Sequence, residues 1–126
     1  MSAPTKGNTT ASHIIGERNY YGDSEVISVQ TTTFDQTGYP DLIKMNIEGH
    51  ECVVLCSIPF EQWKKLDCFV AIHSEDLRSE IYKHFSGTNI NLFSQKLGWE
   101  KAYDEKSLSL EKEGYVFIST KKQMPW

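Results

Sequence analysis

Three side chains offer most of the chemistry in this sequence: Asn46, Glu48 and His73. Each falls at or just beyond a stretch that reads as a β-strand. A carboxylate such as Glu48 can bind a polar substrate or help to accept its proton. A neutral imidazole such as His73 can take a proton from an attacking hydroxyl. An amide such as Asn46 can line a pocket through its hydrogen bonds. Each also has a structural role open to it. Glu48 suits the positive end of a following helix. Asn46 can fix a turn by bonding nearby backbone. His73 can sit satisfied at a sheet edge, and His50 reads as a residue of the helix start. The three side chains can be drawn together as N/O metal ligands, but their spacing demands no ion, and no metal is expected. Cys52, Cys56 and Cys68 form no C-x-x-C pair, and an odd number argues against a disulfide framework. They read as buried free thiols in a reducing compartment.

The elements that must position these residues follow from periodicity. Residues 26–32 alternate, with Ile27, Val29 and Thr31 on one face, which predicts a half-buried strand ending before Gly38-Tyr39-Pro40. Asp41 to Ile47 predicts the next strand, with Ile43, Met45 and Ile47 sharing a face. Lys44 lies mid-strand, an unusual place for a charge, and either reaches the rim or pairs with an acid. Gly49 gives a tight exit into a helix from Glu51, and Pro59 breaks that helix before a short turn over Phe60 to Leu66. Cys68-Phe69-Val70-Ala71-Ile72 is a continuous apolar run, which suits a strand buried on both faces. Ser74 then caps a helix whose Leu77, Ile81 and Phe85 recur on one face and which stops at Gly87. Asn91 to Leu97 is predicted as a short helix ending at Gly98. Trp99–Tyr103 and Tyr115–Ser119 are predicted as a closing antiparallel hairpin across the charged loop Asp104–Glu113.

The predicted order is that of an α/β protein built on a βαβ unit. Parallel strands end on a common edge, so Asn46, Glu48 and His73 are expected on one rim, where open α/β sheets bind ligands. Residues 1–25, rich in Ser, Thr, Gly and Asn, read as an irregular lead-in, and residues 26–126 as the folded part. Tyr20, Tyr21, Trp99 and Tyr103 read as core or strand-surface aromatics, with an aromatic wall for a sugar as the alternative.

Length and charge narrow the function classes. The chain has 126 residues and a net charge of −4, with no basic patch, so nucleic-acid binding has no support. No run of about 20 apolar residues is present, so no membrane partner is expected. The N-terminus has no apolar signal segment, which points to a cytoplasmic location and makes the Asn8-Thr9-Thr10 sequon a chance occurrence.

The stretch Asp41-Leu42-Ile43-Lys44-Met45-Asn46-Ile47-Glu48-Gly49-His50-Glu51 is the most informative. It resembles the signature of FkbM-family methyltransferases, a strand reading D-L-I-K-I-D-x-E-G-x-E followed by a turn and a helix. The strand at Phe69–His73 and the strand at Gly114–Ile118 resemble the family's next and closing strands. The similarity covers about residues 26 to 120. It implies a partial Rossmann-like methyltransferase sheet, a βαβ unit plus closing antiparallel strands. It also implies S-adenosylmethionine as cofactor and a hydroxyl of a sugar or small natural product as methyl acceptor. Within that resemblance Glu48 and His73 are the catalytic candidates facing the acceptor, and Asn46 is the cofactor-side candidate.

Three departures accompany the likeness. The family's Gly-rich cofactor loop has no counterpart, because Gly7, Gly16 and Gly22 are scattered and follow no apolar strand. Asn46 stands where the family has Asp, which keeps hydrogen bonding but loses the charge. Ala71 stands where a Glu is usual. The resemblance therefore implies the C-terminal half of such an enzyme. The alternative is a non-catalytic remnant or interaction module that pairs with a separate cofactor-binding chain, associating through an exposed sheet edge. An unrelated small α/β binding protein is the third reading.

Overall fold

The computed structural model describes residues 2–4, 24–108 and 114–125. The chain divides into two compact units, Met1–Gly38 and Tyr39–Trp126.

In the first unit, β1 (Ser2–Pro4) pairs antiparallel with β2 (Ser24–Val26). The lead-in therefore has paired strands at its two ends. Residues 5–23, including Gly7, Gly16, Gly22, Tyr20, Tyr21 and the sequon, lie outside the described residues. The strand expected over 26–32 stops at Val26, and residues 27–33 carry no regular structure. Val26, Ile27 and Val29 are exposed. Alternation supplies an apolar face, but a strand also needs a neighbour for its backbone. In this unit the described strand pairing ends at Val26. One helical turn, α1 (Phe34–Thr37), closes at Gly38, whose φ of 85° suits glycine.

The second unit is an α/β layer. Its elements are β3 (Leu42–Met45), α2 (Glu51–Ser57), β4 (Asp67–Ile72), α3 (Glu75–Phe85), β5 (Asn91–Ser94), β6 (Glu100–Lys101) and β7 (Gly114–Ser119). The five strands form one mixed open sheet in the order β3-β4-β7-β5-β6. β3 and β4 are parallel, with Leu42 opposite Asp67 and Met45 opposite Val70, so β3-α2-β4 is the expected βαβ unit. β7 runs antiparallel to both β4 and β5. It follows that β4 and β5 point the same way, joined by α3, with β7 inserted between them.

The closing strands differ from the predicted hairpin. β6 is two residues long and pairs with β5, while β7 takes a central place. Val116, Phe117 and Ile118 are all fully buried, so β7 has two apolar faces to cover and cannot lie at an edge. Asn91–Leu97 is likewise a strand first and a 3-10 turn only over Gln95–Leu97. Leu92 and Phe93 are consecutive and both buried. A strand buries such a pair on its opposite faces, whereas a surface helix exposes one of them.

One sheet face carries Met45, Cys68, Val70, Ile72, Leu92, Val116 and Ile118, all buried. The helices cover it. α3 buries Leu77, Ile81 and Phe85 as its spacing predicts, contributing about 1.5–3 kcal/mol for each side chain. α2 adds Leu55, and the turn after Pro59 adds Trp63, which meets Phe85 edge-on at 5.0 Å. The opposite face is covered unevenly. Phe93 and Phe117 lie under the turns at Gln95–Leu97 and Lys106–Leu108, where Leu108 is buried. Toward β3 the face opens: Leu42 is 59% exposed, Lys44 is exposed, and Phe69, Trp99 and Tyr115 are half-buried.

Candidate functional site

Asn46 is the first residue after β3, and His73 is the first after β4. These strands are parallel, and their register sets Asn46 level with Ala71, two residues before His73, so both residues leave the same edge of the sheet with their side chains on the same face. The side chains meet: His73 Nε2 lies 2.7 Å from Asn46 Oδ1. With the amide oxygen as acceptor, Nε2 donates, and the neutral ring then carries its lone pair on Nδ1.

The pair opens onto a cleft of about 300 Å³ on the carboxyl rim. Asn46, Ala71, His73, Gln95, Gly114 and Tyr115 line it. That volume falls at the small end for ligand pockets. Gln95 has a second task, since its side-chain oxygen accepts the Tyr115 backbone N–H at 3.1 Å. Tyr115 in turn stacks on Phe69 at 4.9 Å, and Phe69 contacts Trp99 at 5.2 Å. Ala71 leaves the floor of the cleft without a carboxylate.

Glu48 is placed differently. It is half-buried, has φ of 57° and does not line the cleft. The structure thus joins Asn46 to His73 and keeps Glu48 in the neighbouring turn. The acid that organises this turn is Glu51, which is 0% exposed. One carboxylate oxygen accepts the Ile47 N–H at 2.8 Å and the other accepts the Gly49 N–H at 2.9 Å. This clamp holds a turn that includes two positive-φ residues, Glu48 and Gly49 at 114°. Only glycine adopts the second conformation cheaply. The second turn is simpler: Ser74 Oγ accepts the Leu77 N–H at 3.2 Å and starts α3.

Gln95, Tyr115 and Glu51 were not singled out by the residue pattern. Gln95 and Tyr115 enter the site only through the β5–β7 pairing. Glu51 carried a signal, an acid at the first position of a helix, but nothing in the pattern marks a carboxylate that bonds backwards.

Away from the cleft, burial shifts three titratable groups. Burial pushes the Cys68 thiol up to about 12. Cys52 is also pushed up to about 12, by burial first and then by Cys56 and Glu80. Burial pulls His84 below its ordinary value, with Nε2 sealed beside the rings of Phe60 and Phe85. Among the described residues no group of three His, Cys, Asp or Glu side chains could hold a metal ion. No helix among the described residues is long and apolar enough to cross a membrane. Compared with known protein families, curated proteins and solved structures, the chain has no significant match.

Proposed function

We propose that the Asn46–His73 cleft is the acceptor side of an FkbM-type methyltransferase, acting on a hydroxyl of a sugar or small natural product. The observation that carries this reading is the 2.7 Å contact between two rim residues that are 27 positions apart in sequence. It sets a proton-handling ring beside an open cleft at the carboxyl ends of parallel strands, where ligands of open α/β sheets bind. The β7 insertion between β4 and β5 agrees with the terminal antiparallel strand that the resemblance implies.

The described residues do not make a cradle for S-adenosylmethionine. The strand-to-helix turn after β3 has one glycine, and Glu51 already takes its Ile47 and Gly49 amides. The turn after β4 has no glycine at all. The reading therefore assigns acceptor binding and proton handling to this cleft, and donor binding to a separate cofactor-binding surface. Asn46 orients the His73 ring, and His73 receives the hydroxyl proton as the oxygen becomes a nucleophile. General-base help of this kind contributes about 10²–10⁴-fold.

The test is transfer of labelled methyl from S-adenosylmethionine to a panel of sugar and small-molecule hydroxyls. The full chain is supplied alone and with cofactor-binding proteins from its source. Loss of transfer by at least about 10²-fold in His73→Ala supports the reading. Equal transfer by wild type and His73→Ala, or none under any condition, rejects it.

One observation favours the second reading, an interaction module. Among the described residues of its unit, β3 has a strand neighbour on one side only, and it exposes Leu42 beside an incompletely covered face. Such an edge can take up another strand. Co-elution of a second protein that Leu42→Lys abolishes, with no methyl transfer, would establish that role instead.

A further inference from the structure

Two thiols remain outside the site described above. Cys52 and Cys56 lie one turn apart on α2, and their Sγ atoms are 3.3 Å apart. Cys56 is exposed and Cys52 is partly so, whereas Cys68 is buried in the core. Glu80, on the neighbouring α3, lies close enough to the Cys52 thiol to disfavour its ionised form. The pair is therefore an accessible dithiol beside a carboxylate.

A direct disulfide is poorly suited to this geometry. Residues four apart on a helix hold their Cβ atoms about 5–6 Å apart. A disulfide needs about 3.5–4.5 Å, so oxidation would have to bend α2. An ion between the sulfurs avoids that demand. With metal–sulfur bonds of about 2.3 Å, two sulfurs on one ion stand about 3.8 Å apart at a tetrahedral angle and about 4.6 Å apart when linear. Rotation of the exposed Cys56 side chain supplies the extra separation without moving the backbone. Among the described residues no third His, Cys, Asp or Glu completes a metal-binding group with the pair, so they do not make a closed four-ligand zinc site. Two thiolates alone suit a soft ion of low coordination number.

We propose that Cys52 and Cys56 form a two-thiolate site for a soft, thiophilic cation, with cuprous ion as the representative. On binding, two S–H bonds break and two S–Cu bonds form. Both protons leave to solvent, and no electrons are exchanged, so no oxidant is required. The site lies on α2 and is independent of the methyl-transfer reading.

Cuprous ion is the probe. Under anaerobic conditions the full chain is titrated with cuprous ion against a chromophoric cuprous chelator, and stoichiometry is read by native mass spectrometry. The expected result is one ion per chain, with affinity at least tenfold weaker in Cys52→Ser and in Cys56→Ser. Circular dichroism checks that both variants keep the fold. In the wild-type chain alone, the ion should protect Cys52 and Cys56 together from alkylation. Copper that stays on the chelator, equal binding by Cys56→Ser, one ion shared by two chains, or unprotected thiols would each overturn the proposal.

Discussion

The two strand-to-helix turns on the carboxyl rim do the same job by different means. After β3 the chain passes through two positive-φ residues and is clamped by a buried carboxylate from α2. After β4 it turns directly into α3, with one serine hydroxyl as the cap. Both turns deliver a polar side chain at the first position beyond the strand, and those side chains bond to each other. Rigidity is therefore stored unequally along the rim. The Asn46 side of the cleft depends on a network inside the protein, whereas the His73 side depends on an ordinary helix start.

Mutations should separate the two turns. Glu51→Ala strips a charged acceptor from two amides, and each such bond contributes about 1.5–3 kcal/mol. A loss of about 3–5 kcal/mol in urea unfolding is expected, and a loss near 1 kcal/mol would erase the contrast between the turns. Ser74→Ala removes a single cap and should cost about 1 kcal/mol by the same measurement. Asn46→Ala removes one side-chain bond, worth about 0.5–1.5 kcal/mol. It should uncouple the His73 ring from β3, seen as lost NMR contacts between them. Glu48→Gly frees a left-handed position and should leave stability unchanged or raise it by up to about 1 kcal/mol. A clear loss would show that the Glu48 side chain holds the turn as Glu51 does.

The smallest effect concerns pH and lies away from both turns. His84 is held below its ordinary value by burial, so the unfolded chain binds its proton first as pH falls. The stability that the neutral ring contributes is complete above about 6.5 and declines below it. His84→Phe should flatten the acid side of the stability profile between pH 7 and 5, while His73→Ala should leave His84's part of it in place.

Much of the second unit was legible in the sequence. The apolar run 68–72, the Ser74 cap and the Leu77, Ile81 and Phe85 stripe are local signals, and the structure keeps each of them. The nearness of Asn46 and His73 followed from the rule that parallel strands end on one edge. What was not legible depends on partners. Residues 26–32 and 41–47 both alternate, yet the second segment pairs with β4 over Leu42–Met45, while the first pairs only at Val26. Asn91–Leu97 has enough polar residues to pass for a helix, and only β7 makes it a strand. The order of the last three strands depends on which backbone edge is left unpaired, and composition does not record that. Gln95 and Tyr115 were missed as cleft residues for the same reason.

The central place of β7 also bears on how the sheet assembles. β4 meets it through pairs such as Cys68 with Ile118, and β5 meets it through pairs such as Leu92 with Ile118. β4 and β5 therefore have no common neighbour until residues 114–119 have been made. During synthesis the earlier strands must wait with backbone N–H and C=O groups unpaired and apolar faces open. Pairings this distant in sequence form slowly, because loop closure precedes any gain from contact. A chain that has not yet made β7 is thus the state most prone to stray association.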